Sequence, residues 1–181
     1  NLLNVSNLKI FISLRDIFFR SFNSFISVEI SNSNLEFDLS NLKEIRKHLY
    51  KSINNPIIFK NCKIFIKNQK EDVIIISPVK IIRYKINNKA KVKNLIIDGK
   101  IFGIKFKSEW KRNYQNPEVA THNIHLYRPN IFIKNIFKFR NSNNFVGQTE
   151  IEFIQDKMIY DISFENDIIN ITSPTIEETN F

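Results

Sequence analysis

The sequence predicts a mainly β protein: an antiparallel meander that forms a curved sheet or groove, or alternatively a sandwich-like arrangement, with one or two short helices. Most of the chain alternates between apolar and polar residues with a period of two, which is typical of strands with one buried and one solvated face. Short polar breaks separate these segments at hairpin spacing. Strands that alternate with long helices, as a parallel sheet requires, are not part of the pattern.

The clearest strand pattern lies in "NLIIDGKIFGIKFKSEW", residues 94–110. Phe102, Ile104 and Phe106 share one parity, whereas Lys105 and Lys107 share the other, so one face is apolar and one is charged. Other predicted strands are "FISVEI", "NLEFDL", "IIFKNCKIFIKN", "DVIIISPVKIIRYKI", "HNIHLYRPNIFIKNIFKFR", "TEIEFIQDKMIYDISFE" and "DIINITSP". The polar stretch "SEWKRNYQNPEVATHN" is expected to form a longer loop.

Tight turns are expected at the polar breaks, and Asp98-Gly99 is the strongest of these signals because a type I′ turn needs positive φ at both central positions. The other expected turns are Asn68–Asp72, Asn87–Lys91, Gln155–Lys157 and Asn166-Asp167.

Two segments have helical spacing. In "DLSNLKEIRKHLYKS", Ser40 is a good N-cap and Leu42, Ile45 and Leu49 form an apolar stripe, which predicts a helix near residues 41–51. In "SLRDIFFRSF", Ser13 is expected to cap one or two helical turns.

The composition favours a folded protein with a basic surface. The chain has 181 residues, 43% of them hydrophobic, and 27 Lys+Arg against 18 Asp+Glu give a net charge of +9. Such a surplus is compatible with an anionic partner, but heavy use of Asn, Ile, Lys and Phe is also typical of AT-rich genomes, where surface Lys is solvated. The chain starts at Asn1 and its only Met is Met158, so it is expected to be a processed product or an interior piece of a longer protein.

Residues for catalysis or metal binding are not grouped in the sequence. His122 and His125 would lie on opposite faces of a strand, and the single cysteine, Cys62, shares the parity of Ile64 and Ile66 and is expected to be buried. Three glycines do not form a phosphate-binding loop. No nucleophile, base and orienting group are evident, so we expect no enzymatic activity, no cofactor and no metal site.

The segment "IFIKNIFKFRN" interleaves basic residues with phenylalanines, as nucleic-acid-binding surfaces do. Nucleic-acid binding would require Phe and Lys on the same face. No nucleic-acid partner is expected, but a basic β-barrel that binds nucleic acid is one alternative function, and a purely structural β domain is another.

The order of segments resembles the AsmA-like family of bacterial envelope proteins, which includes TamB and YhdP. Matching segments are "VSNLKIFISLRDIFF", "SFISVEISNSNLEFDLSNLKEIRKHL", "PIIFKNCKIFIKNQKEDVIIISPVKII" and "NLIIDGKIFGIKFKSEW". The first segment resembles the family's strand that leads into a short helical turn, and the second resembles its strand pair followed by a helix. The third resembles its strand with a hairpin back, and the fourth resembles its repeat of two strands joined by a turn. The similarity extends from about residue 7 to residue 172 and contains no catalytic motif.

The resemblance implies that residues 1–181 are a single AsmA-like β-sheet segment of a longer chain. Its apolar groove would carry phospholipid acyl chains, its polar outside would face the periplasm, and an N-terminal helix outside this chain would anchor the full-length protein in the inner membrane. Such a protein moves phospholipid toward the outer membrane or takes part in the assembly of the outer membrane. By strand parity, the expected lining residues are Ile26, Val28, Ile64, Ile66, Phe102, Ile104 and Phe106.

Overall fold

A computed structural model describes residues 3–4, 6–12, 25–38, 56–68, 70–87, 89–140, 144–165 and 168–173. These residues form thirteen strands of one curved sheet and contain no helix. The strands are β1 Leu3–Asn4, β2 Asn7–Ile12, β3 Phe25–Ser31, β4 Asn34–Asp38, β5 Ile57–Lys67, β6 Val73–Asn87, β7 Val92–Ile101, β8 Ile104–Asn113, β9 Val119–Tyr127, β10 Asn130–Phe139, β11 Phe145–Phe153, β12 Asp156–Glu165 and β13 Ile168–Thr172.

From β5 to β13 the sheet is an antiparallel meander in which every strand pairs with the next one in sequence. This confirms the predicted fold class. The sheet is open, since β13 pairs with β12 alone among the described strands and β2 pairs with β3 alone. Hairpins bring sequence neighbours together, so a meander needs no long connections.

One parallel junction interrupts the meander. β3 and β4 lie end to end along the same edge of β5, and both pair with it in parallel, with Val28 opposite Ile57 and Asn34 opposite Lys63. The antiparallel meander does not extend to these two pairs. Parallel neighbours need a crossover connection of about a dozen residues or more, and the separation of Asp38, the last residue of β4, from Ile57, the first of β5, is long enough for one. The helix expected near residues 41–51 with its Ser40 cap, and the shorter one after Ser13, lie outside the described residues.

Two of the predicted turns are confirmed, and both use an asparagine side chain. Between β5 and β6, Asn68 Oδ1 accepts hydrogen bonds from the backbone N–H groups of Lys70 and Asp72, both at 2.9 Å. Between β6 and β7, Asn87 Oδ1 accepts a hydrogen bond from the Ala90 N–H at 3.0 Å. Asn is favoured in turns because its side chain replaces the missing backbone partner.

The turn predicted at Asp98-Gly99 is wrong, because β7 continues to Ile101 and the chain reverses at Phe102-Gly103. The φ angles there are 50° and 81°, so it is this dipeptide that adopts positive φ at both positions. Gly99 has a different role. A Cβ atom at Gly99 would lie 2.8 Å from the Pro78 carbonyl oxygen, so the close approach of β6 excludes a side chain.

The remaining connections differ in their bounds. The turn expected at Gln155–Lys157 is shorter and begins one residue earlier, at residues 154–155. The long loop expected within residues 108–123 shrinks to residues 114–118, since β8 and β9 extend into it. Asn166-Asp167 lies outside the described residues.

The register gives the sheet two chemically distinct faces, because residues opposite each other on paired strands project to the same side. We call the face that carries Phe106 the apolar face and the face that carries Lys105 and Lys107 the charged face. Every hydrophobic residue that is buried among the described ones projects from the apolar face: Ile30, Leu35, Cys62, Val79 and Ala120. Cys62 is 2% exposed, as its parity predicted.

Candidate functional site: the apolar face of the sheet

Most of the predicted lining residues lie on the apolar face. The register places there, all half-buried, Val28, Ile64, Ile66, Ile104 and Phe106. Ile26 belongs to β3, but its side chain lies outside the described part of the structure. Phe102 was misplaced: it occupies the β7–β8 turn and is 76% exposed, because the chain reverses there.

Aromatic rings form a continuous cluster on the apolar face from β8 to β12. The ring of Trp110 stacks on that of Phe137 with centroids 5.5 Å apart. Phe137 meets Phe145 edge to face at 4.9 Å, and Phe145 stacks on Phe164 at 5.5 Å. The sequence did not predict that these rings meet. The available signal was the odd parity of Phe137 and Phe139, opposite to Lys134 and Lys138.

Small residues on both neighbouring strands make room for the Phe137 ring. Ala120 on β9 and Gly147 on β11 are both directly opposite Phe137. Ala120 is only 1% exposed. A Cβ atom at Gly147 would overlap with the Ile136 carbonyl oxygen and lie 3.0 Å from a Phe137 ring carbon. Larger side chains at either position would displace the ring, so its place in the cluster depends on them.

A row of polar side chains crosses the same face on β8 to β11. The hydroxyl of Ser108 and Nε2 of His122 are 2.8 Å apart. Asn135 Nδ2 donates to the His122 carbonyl oxygen at 3.1 Å, and Asn135 Oδ1 accepts from the Thr149 hydroxyl at 2.7 Å. Burial lowers the pKa of His122, because the neutral imidazole is favoured where water is excluded. These groups bond to one another and to the backbone, which explains how they are tolerated on an apolar face.

Apolar side chains at the two ends of the sheet are widely accessible. On β2, Leu8 and Ile10 are each 56% exposed, and on β13, Ile169 and Ile171 are each 62% exposed. Together with the half-buried residues between them, they make a mainly apolar surface that runs across the strand order from β2 to β13, although the register also places Lys93, Arg112 and Asp156 on this face.

The charged face carries cross-strand ion pairs. Lys60 Nζ lies 2.6 Å from a carboxylate oxygen of Glu29, and Lys67 Nζ lies 2.7 Å from one of Glu36. The hydrogen bond and charge of Lys67 lower the pKa of Glu36. Such pairs across neighbouring strands stabilise a sheet modestly and keep this face solvated.

Basic and aromatic residues also meet on the charged face. Phe132 projects from the same side as Lys134, as nucleic-acid binding would require, whereas Phe137 and Phe139 project from the opposite side. The Phe132 ring stacks on His125 with centroids 3.9 Å apart. His122 is on the apolar face, so the two histidines are separated by the sheet, as their spacing predicted.

The part of the chain that the structure describes holds no group of three or more His, Cys, Asp or Glu side chains that could bind a metal ion. Within the same residues, no helix is both long and apolar enough to cross a membrane. Comparison of the chain with models of protein families, with curated proteins and with solved structures gives no significant match.

Proposed function

We propose that this chain is a segment of an AsmA-like lipid transfer protein, and that its apolar face holds the acyl chains of phospholipids. The observation that carries the proposal is the apolar surface from β2 to β13, which no second layer of described residues covers. A sheet with one apolar face must bury that face against another layer or a ligand. The order of segments along the chain, which resembles the AsmA-like family, favours a ligand.

Transfer of acyl chains from water to this surface requires only apolar contact. Burial of each CH₂ group contributes about 0.8 kcal/mol. The polar row of Ser108, His122, Asn135 and Thr149 has its hydrogen bonds within the protein, so an acyl chain can lie over it without leaving these groups unpaired. The headgroup remains in water beyond the strand ends. The function is therefore binding and transfer, without catalysis.

In this proposal the chain works in the bacterial envelope. The charged face is turned to the periplasm, and an anchor outside this chain holds the full-length protein at the inner membrane. The protein carries phospholipid between the inner and outer membranes or takes part in outer-membrane assembly. Acyl chains are the partner of the apolar face.

Native mass spectrometry of gently purified protein is the direct test, and co-purified phospholipid is the expected result. A photoreactive amino acid at Ile104 or Phe106 should crosslink to phospholipid. The matched control is the same amino acid at Lys107, which is exposed on the charged face of the same strand and should capture none. The proposal would be contradicted if the purified protein carried no phospholipid and if the crosslinking yield at Lys107 equalled that at Ile104 and Phe106.

Nucleic-acid binding is the second candidate, and the observation in its favour is that Phe132, stacked on His125, shares a face with Lys134. Bases could stack on this aromatic pair while lysines contact phosphates. Binding of single-stranded DNA or RNA that weakens steeply with salt and is lost in Phe132→Ala is its expected signature. Equal binding of single-stranded nucleic acid by the wild type and Phe132→Ala would rule out this second function.

A further inference from the structure

An open depression of about 1190 Å³ lies where β5 to β8 meet the β9–β10 turn. The strands β5 and β6 are irregular at this place. Asn61 adopts φ 52°, and the pairing of β6 with β7 shifts register between Val79 and Ile81. Irregularities of this kind bend a strand and redirect its side chains. The depression is thus built by a local departure from regular pairing.

The side chains around the depression are strongly basic. Asp98 is the one acidic residue of the lining, and the basic residues are Lys63, Lys80, Lys100, Lys105 and Arg128. All five are exposed, and none forms a hydrogen bond or ion pair through its side chain with another described residue. Elsewhere on the charged face, lysines such as Lys60 and Lys67 are paired with glutamates. Five cations without a side-chain partner among the described residues therefore surround this one depression, with a single carboxylate beside them.

Two of these lysines are in an arrangement that is unfavourable without an anion. Lys100 on β7 is directly opposite Lys105 on β8 in the register. Like charges that face each other across paired strands destabilise a sheet. A phosphate group between them would convert this repulsion into charge-assisted hydrogen bonds to both.

An exposed apolar residue is adjacent to the same lysines along the chain. Phe102 lies in the turn that joins Lys100 to Lys105 along the chain, next to Gly103, which lines the depression. Its side chain is 76% exposed, and its φ of 50° is a conformation in which Gly or Asn is usual. An exposed phenylalanine among unpaired cations is typical of surfaces that bind the interface of an anionic membrane.

We propose that this depression binds the phosphate-bearing headgroup of an anionic phospholipid at a bilayer surface, with Phe102 inserted among the headgroups. The lysines and Arg128 supply the charge, and Phe102 distinguishes a lipid surface from phosphate free in solution. Lys63, Lys100 and Lys105 project from the charged face, so their contacts with a phosphate group are separate from the acyl-chain contacts of the apolar face, although Ile104 belongs to both linings.

The test is flotation of the whole chain with vesicles of phosphatidylcholine, with and without phosphatidylglycerol. The wild type should bind vesicles that contain phosphatidylglycerol. The variant Lys63→Glu/Lys100→Glu/Lys105→Glu should bind them at least about tenfold more weakly. Phe102→Asn, which suits the positive φ and should leave folding intact, should also weaken binding.

The matched control is Arg83→Glu/Lys85→Glu/Lys89→Glu, which changes the net charge equally at exposed residues outside the depression. It should keep most of the binding, and thermal unfolding should show that both triple variants fold. An equal loss in both triple variants would overturn the proposal, because binding would then follow total charge alone. Binding of inorganic phosphate or single-stranded DNA through the same lysines, without binding to vesicles, would overturn it as well.

Discussion

Trp110 on β8 stacks on Phe137 on β10 with ring centroids 5.5 Å apart, although β9 lies between the two strands. Neighbouring strands are about 4.8 Å apart, so the two backbones are separated by roughly twice that distance. The rings close this gap by leaning toward each other across β9, where Ala120, directly opposite Phe137, is 1% exposed. The apolar face is therefore packed through contacts between strands that are not hydrogen-bonded neighbours.

The first prediction follows from this contact. Ala120→Leu should lower the free energy of unfolding by about 1–3 kcal/mol, because the added carbons must displace the Phe137 ring or the Arg112 side chain, both directly opposite. Chemical denaturation measures the change. Thr121→Leu, one residue along on the charged face, is the control and should have a much smaller effect. Equal effects at the two positions would contradict the packing described above.

The second prediction concerns the two faces of β8. Ile104→Asp and Phe106→Asp should destabilise strongly, because each places a charge on the apolar face. Lys105→Glu should change stability by no more than about 0.5 kcal/mol, as exposed substitutions usually do, and it also removes the repulsion with Lys100. Urea midpoints of the three variants provide the comparison. If Lys105→Glu were as damaging as Phe106→Asp, the assignment of faces would be wrong.

The third prediction separates two glycines by their physical roles. Gly103→Asn should be tolerated, because Asn accepts the φ of 81° and a Cβ atom there meets nothing within 4 Å. Gly99→Asn should destabilise by about 1–3 kcal/mol, because the side chain would press on the backbone of Pro78 and Val79. Thermal unfolding of both variants is the measurement. If Gly103→Asn were more destabilising than Gly99→Asn, the result would favour a turn at Asp98-Gly99 instead.

The fourth prediction concerns the buried hydrogen bond from the Thr149 hydroxyl to Asn135 Oδ1, since each residue is 6% exposed. Thr149→Val should cost about 1–3 kcal/mol, because the Asn135 oxygen loses its donor in a buried place. The double variant Asn135→Leu/Thr149→Val should recover part of this loss, because it removes both polar partners. A double-mutant cycle from denaturation curves shows the coupling, and strictly additive losses would argue that the bond contributes nothing.

The fifth prediction is an acid sensitivity that depends on His122. Burial lowers the pKa of His122 in the folded chain, whereas an unfolded histidine has a pKa of about 6.5. The unfolded chain therefore takes up a proton first as the pH falls below about 6.5, and stability decreases from there toward the lower folded pKa. The loss should be complete once the pH is below that folded pKa.

Unfolding midpoints between about pH 7.5 and pH 5 measure this effect. His122→Gln should show a smaller decrease than the wild type over this range. Glu36 does not interfere, because its pKa is lowered from 4.5 and its contribution is lost at still lower pH. Parallel pH profiles for wild type and variant would show that His122 is not the group responsible.

Local sequence was enough to predict which side chains share a face. Along one strand, successive side chains alternate, so Ile104 and Phe106 were separated from Lys105 and Lys107 by parity alone. The turn at Asn68 was found for a similar reason, since its side chain bonds to backbone groups two and four residues later. The lining role of these apolar residues remains a prediction.

Errors arose where a residue's role depends on a distant segment. Asp98-Gly99 has the composition of a turn, but Gly99 is small because Pro78, on another strand, approaches it. Phe102 was assigned to a strand face because the true turn position was not evident. The aromatic cluster of Trp110, Phe137 and Phe145 could not be predicted, because its rings come from strands whose order in the sheet was unknown.

By itself the sequence determined the mainly β class, the apolar and charged faces and the burial of Cys62, since these follow from alternation over adjacent residues. Only the tertiary structure decided that β3 and β4 pair in parallel with β5, and that Lys63, Lys100, Lys105 and Arg128 surround one depression. The physical reason is that strand pairing is specified by backbone hydrogen bonds, which all residues except proline can form equally. Register and strand order therefore depend on how the whole sheet packs and leave little trace in any single segment.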